Sequence, residues 1–81
     1  MPIAYILINC DLGHEQEVIK QLSEIKDVKE VQGTYGVYDI MTRVVSDSMD
    51  SLRDTVTIGM TKIPRIRSKL TLIVIEGQGN S

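Results

Sequence analysis

The chain has 81 residues, of which 42% are hydrophobic and 25% are charged, and its formal net charge at pH 7 is −2. This composition is typical of one folded domain and excludes the disordered and collagen-like classes. A single cysteine, Cys10, and a single histidine, His14, exclude a disulfide framework and a four-ligand zinc site within one chain. Because a chain of this size is only marginally stable alone, we expect it to gain stability from a partner chain.

The sequence lacks the marks of a membrane or secreted protein. Its longest apolar stretches, residues 3–8 and 70–75, are about a third of the ~20 residues that a membrane-spanning helix needs. The N-terminus has no basic region typical of a signal peptide, so we expect a cytoplasmic protein, in which an unpaired cysteine is usual. The acidic balance and the absence of Phe and Trp argue against direct binding of DNA or RNA.

The N-terminal half predicts a strand, a helix and two more strands. The β-branched and aliphatic run at residues 3–8 indicates a strand buried on both faces. Apolar residues then recur at helical spacing and predict an amphipathic helix over residues 14–26, with acidic side chains in its first turn. Half-polar strands are predicted over residues 28–35 and 38–45, and only Gly36 and Val37 lie between them.

The C-terminal half predicts a helix and a final strand. Apolar residues spaced by three and four predict the helix over residues 49–62, and Pro64 ends it. The last strand is predicted over residues 67–76. We therefore expect a single domain over residues 1–76 and a flexible C-terminal tail over residues 77–81.

The predicted order of elements is β-α-β-β-α-β. A weak internal repeat supports two halves, because the apolar pattern of the first helix recurs 38 residues later. The repeated positions are Val18, Leu22, Ile25 and Val28, followed by Val56, Met60, Ile63 and Ile66. Right-handed crossovers then place both helices on one face of a four-stranded antiparallel sheet, which is the ferredoxin-like arrangement of the α+β class.

The first strand bears on assembly because it is apolar on both faces. Its two sides are Ile3, Tyr5 and Leu7, and Ala4, Ile6 and Ile8. Two helices cover only one of these sides, so an apolar sheet face would remain for another subunit. We expect at least a dimer that packs sheet against sheet, unless the chain's own tail covers this face.

Few residues are placed to carry chemistry. Cys10 and His14 lie four apart across a predicted turn, and no Asp or Asn is positioned to orient the imidazole. Asp39 follows the turn at Gly36, where its carboxylate accepts hydrogen bonds either from local backbone amides or from an incoming ammonium group. Both interpretations stay open at this point. A carboxylate beside the free amides of a glycine turn suits a zwitterion such as an amino acid.

Arg65, Arg67 and Lys69 form a basic run before the last strand. Alternation places all three on one side of an extended chain, which suits a phosphate or an acidic partner. More often such a run is a solvated strand edge that discourages aggregation, and we favour that interpretation.

The chain around Asp39 resembles a known family. The matching pieces are residues 4–8, Gly13 with residues 15–22, residues 36–41, residues 43–44, residues 63–66 and residues 69–74. They resemble the effector-binding domain, often called the RAM domain, of the leucine-responsive regulatory protein / AsnC family of prokaryotic transcription regulators. The Gly-x-Tyr-Asp turn at residues 36–39 is the most specific piece, and the resemblance extends from residue 4 to residue 76.

The resemblance implies an amino-acid site between dimers that assemble into rings, commonly octamers. Gly36, Val37, Tyr38 and Asp39 would form one wall of the site, and Thr71 would be a polar contact from the last strand. In this interpretation Asp39 receives the ligand's ammonium group, and the amides near Gly36 and Val37 receive its carboxylate. Tyr38 packs nearby, and Thr71 adds a hydrogen bond.

Two residues depart from the family pattern. Lys69 stands where the family often has a first threonine, and Arg65 stands where it usually has glycine after Ile-Pro. Lys69 would pair with a ligand carboxylate or with Asp39, so a ligand more acidic than leucine, or an altered or empty site, stays open. The regulators normally carry a helix-turn-helix before this domain, and this chain resembles the stand-alone form found mainly in archaea and bacteria.

We therefore expect a regulatory module that binds an amino acid or a similar small metabolite at subunit interfaces. We expect it to need no cofactor or metal, to have no enzymatic activity, and to act through its homo-oligomer or through a full-length regulator of the same family. Two alternatives stay open. One is a small enzyme of the dimeric α+β barrel type, which would need His14 in the barrel, and the other is an assembly module without a ligand.

Overall fold

A computed structural model of the chain describes residues 1–80. Its elements are β1 (Ile3–Cys10), α1 (Glu15–Ser23), β2 (Val28–Gly33), β3 (Ile40–Val45), α2 (Met49–Asp54) and β4 (Ile66–Ile73). The strands form one sheet in the order β2-β3-β1-β4, and every neighbouring pair is antiparallel. The predicted ferredoxin-like fold is therefore confirmed. Residue 81, the end of the predicted tail, lies outside the described residues.

The hydrophobic core lies between the sheet and the two helices. Its buried members are Ala4, Ile6, Ile8, Cys10, Val18, Leu22, Ile40, Val44, Leu52, Val56 and Met60. All eight positions of the sequence repeat lie in this core or pack against it. Within residues 1–80, no helix is long and apolar enough to span a membrane.

The opposite face of the sheet carries the second apolar side of β1. The register places Leu72 opposite Tyr5 and Leu70 opposite Leu7, and directly opposed residues of antiparallel strands project from the same face. Tyr5 is 37% exposed, Leu70 is 43% exposed and Leu72 is 50% exposed. We call the surface formed by Tyr5, Leu7, Leu70 and Leu72 the open face.

α1 is shorter than the predicted helix over residues 14–26. It spans Glu15–Ser23, and the amides of Glu24 and Ile25 bond three residues back rather than four. Asp27 then adopts a left-handed backbone with a φ of 75°, just before β2. The Ser46 hydroxyl donates to Asp27 Oδ2 at 2.9 Å, and the Val45 amide donates to the Asp27 carbonyl at 3.0 Å. The turn is thus tied to the end of β3.

The hairpin between β2 and β3 has a longer loop than predicted. The strands end at Gly33 and begin again at Ile40, whereas the sequence predicted strands over residues 28–35 and 38–45. Tyr35 and Val37 are exposed, so no burial holds these residues in the sheet. The Thr34 amide donates to the Asp39 carbonyl at 2.8 Å, which closes the loop.

The second helix covers residues 49–62 as predicted, but its hydrogen bonding changes along its length. α2 is followed by a π-helical segment, Thr55–Gly59, and by a 3₁₀ turn, Met60–Lys62. The buried residues Leu52, Val56 and Met60 are spaced by four, which exceeds the 3.6 residues of an α-helical turn. The wider π turn keeps these three side chains on the core face.

A strained residue, Arg65, lies immediately before β4. Arg65 has a φ of 77°, a left-handed conformation that costs a non-glycine residue roughly 1–2 kcal/mol. This geometry explains why glycine suits the position. β4 then spans Ile66–Ile73 rather than residues 67–76, and its pairing with β1 shifts register between Asn9 and Cys10.

Replacement of Arg65 tests this strain. We expect Arg65→Gly to be more stable than Arg65→Ala by about 1 kcal/mol, because glycine adopts a positive φ without a steric penalty. Urea unfolding of both variants gives the difference. Both lose the Arg65 ion pair with Asp11, so the comparison isolates the backbone. Equal stabilities would show that the left-handed backbone carries no strain.

Candidate ligand site

Asp39 links the start of β3 to the end of β1. Its Oδ2 accepts a hydrogen bond from the Cys10 amide at 3.0 Å, and its own amide donates to the Ile8 carbonyl at 2.9 Å. The carboxylate therefore accepts from the distant strand β1 and not from the amides of its own hairpin. Bonding to those local amides was one of the two interpretations that the sequence left open. Within residues 1–80, no hydrogen bond involves the second carboxylate oxygen, Oδ1.

A cavity of about 390 Å³ lies beside this carboxylate, where β1 ends and β3 and β4 begin. Its lining residues are Asn9, Cys10, Asp39, Arg67 and Ser68. Most of these side chains are polar, and one acidic and one basic group face the same space. Across the β1–β4 pair, the Asn9 side-chain amide donates to Ser68 Oγ at 3.4 Å.

A cluster of charges borders the cavity. Arg65 Nη1 lies 3.7 Å from Asp11 Oδ2, and Arg67 Nε lies 4.0 Å from Asp11 Oδ1. The Asp11 amide also donates to the Arg65 carbonyl at 2.8 Å, which joins the β1–α1 loop to the turn before β4. The three groups carry one negative and two positive charges.

Cys10 lines the cavity, and its side chain is buried in the hydrophobic core. Burial raises the pKa of the Cys10 thiol above its usual range, and the carboxylates of Asp39, Glu15 and Asp11 raise it further. A raised pKa leaves less thiolate at a given pH, so this is not an activated nucleophile. His14 lies beside Glu17, with its Nδ1 3.6 Å from Glu17 Oε2.

The basic run predicted on one side of the chain is divided by the fold. Lys69 pairs with Ile8 in the register, and its ammonium group donates to the Val56 carbonyl of the π-helical segment at 2.6 Å. Burial lowers the pKa of Lys69. Arg65 and Arg67 instead lie beside Asp11. In this structure Lys69 therefore contacts the second helix.

The other predicted site residues do not line the Asp39 cavity within one subunit. Gly36, Val37 and Tyr38 lie in the loop between β2 and β3, and the Tyr38 carbonyl accepts from Thr34 Oγ1 at 2.6 Å. Thr71 pairs with Ile6. It lines a separate groove of about 200 Å³ with Leu52, Arg53, Val56, Thr57 and Ile73.

Four cavity residues, Asn9, Cys10, Arg67 and Ser68, were not among the predicted site residues. Asn9 and Ser68 are neighbours only through the antiparallel register of β1 and β4. Arg67 stood out in sequence only as one of three basic residues. Local spacing does not show which of these three basic side chains lines the same cavity as Asp39. Within residues 1–80, His, Cys, Asp and Glu side chains form no group of three that would hold a metal ion.

Comparisons with known proteins identify the family. A family model described as the Lrp/AsnC ligand binding domain matches residues 3–77. The crystal structure of FFRP-DM1 is 35% identical, with a TM-score of 0.87, and the match covers 93% of this chain and 100% of that one. None of the curated proteins compared with the chain matches it.

Two further solved structures show the same fold. A hypothetical protein from Pyrococcus horikoshii, PHS023, is 35% identical with a TM-score of 0.87, over 93% of this chain and 90% of that chain. AsnC from E. coli is 25% identical with a TM-score of 0.86, and the match covers 99% of this chain but 54% of AsnC. The family consists of effector-binding modules of transcription regulators, and this chain belongs to it as an Lrp/AsnC ligand-binding domain.

Proposed function

We propose that this chain binds an amino acid at Asp39 and that the bound ligand alters how its subunits assemble. The observation that carries the proposal is the Asp39 carboxylate, which is fixed by Cys10 through Oδ2 and borders a polar cavity. A carboxylate held in place by the backbone binds an ammonium group without first losing its own freedom. Arg67 on the same cavity supplies the opposite charge.

The open face supports a ligand site at a subunit boundary. Asn9 and Ser68 are opposed in the register and continue the row formed by Leu7 and Leu70. The cavity therefore lies at one end of the open face. A second copy packed on this face would border the cavity, so a bound ligand would contact or orient both subunits. A ligand shifts assembly only if it binds one assembly state more tightly.

Thermal unfolding in the presence of each of the twenty amino acids tests the proposed ligand class. At a hundredfold excess over its dissociation constant, a ligand of the folded state adds roughly 2.7 kcal/mol and raises Tm. We expect one or a few amino acids to raise Tm, and Asp39→Asn to abolish the rise. Asparagine retains an oxygen for the Cys10 amide but loses the charge. Asp47→Asn, at an exposed position, is the matched control.

No rise with any amino acid would overturn the ligand class. A rise that survives in Asp39→Asn would overturn the placement of the site at Asp39.

Alkylation of Cys10 gives a second readout of the same cavity. Because the raised pKa keeps the thiol protonated, we expect iodoacetamide to react more slowly than with a free cysteine at pH 8. The amino acid that raises Tm should slow the reaction further, because it covers the wall to which Cys10 belongs. Mass spectrometry of the alkylated chain follows both rates. An unchanged rate with saturating ligand would place the ligand elsewhere.

A charge on the open face tests the proposed sheet-to-sheet dimer. We expect Leu72→Arg to convert the dimer to a monomer, because a guanidinium at the centre of an apolar interface must be desolvated without a partner. Light scattering after size-exclusion chromatography measures the mass. Leu12→Arg is the matched control, because Leu12 is 91% exposed and lies in the β1–α1 loop. A dimer that survives Leu72→Arg would show that assembly uses another surface.

A further inference from the structure

The cavity at Asp39 presents two opposite charges across neutral polar groups. Asp39 lies at the start of β3, and Arg67 lies at the start of β4. The other residues that line the cavity, Asn9, Cys10 and Ser68, are neutral in charge. A ligand with one ammonium group and one carboxylate would match this pair of charges without leaving either one unpaired.

The guanidinium of Arg67 is only weakly engaged within the chain. Its Nε lies 4.0 Å from Asp11 Oδ1, at the limit of an ion pair, and the Arg67 side chain is 72% exposed. An exposed pair at this distance contributes little. Arg65 approaches the same Asp11 carboxylate more closely, at 3.7 Å. Two guanidinium groups therefore share the Asp11 carboxylate. The N–H donors of Arg67 that Asp11 does not engage suit a second carboxylate, which a guanidinium binds through two parallel hydrogen bonds.

The strained backbone at Arg65 maintains this arrangement. With a φ of 77°, Arg65 places its carbonyl 2.8 Å from the Asp11 amide and its side chain beside the Asp11 carboxylate. Strained backbone positions are concentrated at functional sites. Arg65 is thus a second partner of Asp11, besides Arg67.

The other candidate groups for a ligand carboxylate lie elsewhere in the subunit. The amides of Gly36 and Val37 belong to the loop between β2 and β3, and neither residue lines the cavity. The Lys69 ammonium group is bonded to the Val56 carbonyl. Of the residues that line the cavity, Arg67 carries the positive charge.

We propose that Arg67 binds the α-carboxylate of the ligand while Asp39 binds its ammonium group, and that the polar walls favour amino acids with polar side chains over branched aliphatic ones. This inference rests on the proposed function and adds a specificity-determining residue to it. The side chains of Asn9 and Ser68 offer hydrogen bonds to a polar ligand, whereas they offer an aliphatic side chain little apolar surface to pack against.

Calorimetric titration with free amino acids and their α-amides tests the contact. The probes are L-serine, L-glutamine and L-leucine, each compared with its α-amide, which lacks the negative charge. We expect L-serine or L-glutamine to bind more tightly than L-leucine. The α-amide of the tighter ligand should bind about tenfold more weakly than the free acid, which corresponds to about 1.4 kcal/mol.

Replacement of Arg67 shows whether it is the group that senses this charge. We expect Arg67→Gln to weaken binding of the free acid about tenfold. The dissociation constants of the free acid and the α-amide should then differ by no more than about twofold. Arg67→Lys keeps the charge but loses the two-pronged donor, so it should give an intermediate affinity. Arg53→Gln, in the separate groove beside β4, is the matched control and should bind like the parent chain.

The outcomes separate this inference from the proposed function. If Asp39→Asn abolishes binding but Arg67→Gln still distinguishes acid from amide, Arg67 is not the carboxylate partner and the site at Asp39 stands. If L-leucine binds most tightly, the preference for polar ligands is wrong. If none of the three free amino acids binds the parent chain and no amino acid raises its Tm, the proposed function itself fails.

Discussion

Strand β1 is paired along both edges and is apolar on both faces, so it must be covered from two sides. The helices cover the side of Ala4, Ile6 and Ile8, which is fully buried. The other side, with Tyr5 and Leu7, belongs to the open face. Water against that face costs free energy in proportion to its apolar area, which is the physical reason for proposing a second copy on it.

The same strand connects the open face to the cavity. Cys10 ends β1, and its amide holds the Asp39 carboxylate. Asn9 and Ser68 lie one step along from the apolar pair Leu7 and Leu70. A ligand in the cavity and a subunit on the open face would therefore meet at the end of β1. In the proposed function, this adjacency would couple ligand binding to assembly without a distant conformational pathway.

The two departures from the family pattern have different physical consequences. Lys69 donates to the Val56 carbonyl and joins β4 to the π-helical segment, so its charge acts on the packing of the second helix. Arg65 instead adopts a left-handed backbone conformation and forms an ion pair with Asp11 beside the cavity. Neither departure changes Arg67, the basic residue that lines the Asp39 cavity.

Hydrophobic periodicity was sufficient to predict the order of the elements and the two-sided apolar character of β1, because both depend on local spacing. Asp39 was singled out by its position after a glycine turn and by the family resemblance, and its role in ligand binding stays a prediction. Periodicity did not predict the π-helical segment, the left-handed Arg65, or the loop that ends β2 at Gly33. The residues that line the cavity could not be predicted from local sequence patterns either. Asn9, Asp39 and Arg67 are far apart in the chain and meet only through the register of β1 with its two neighbours, which packing in three dimensions decides.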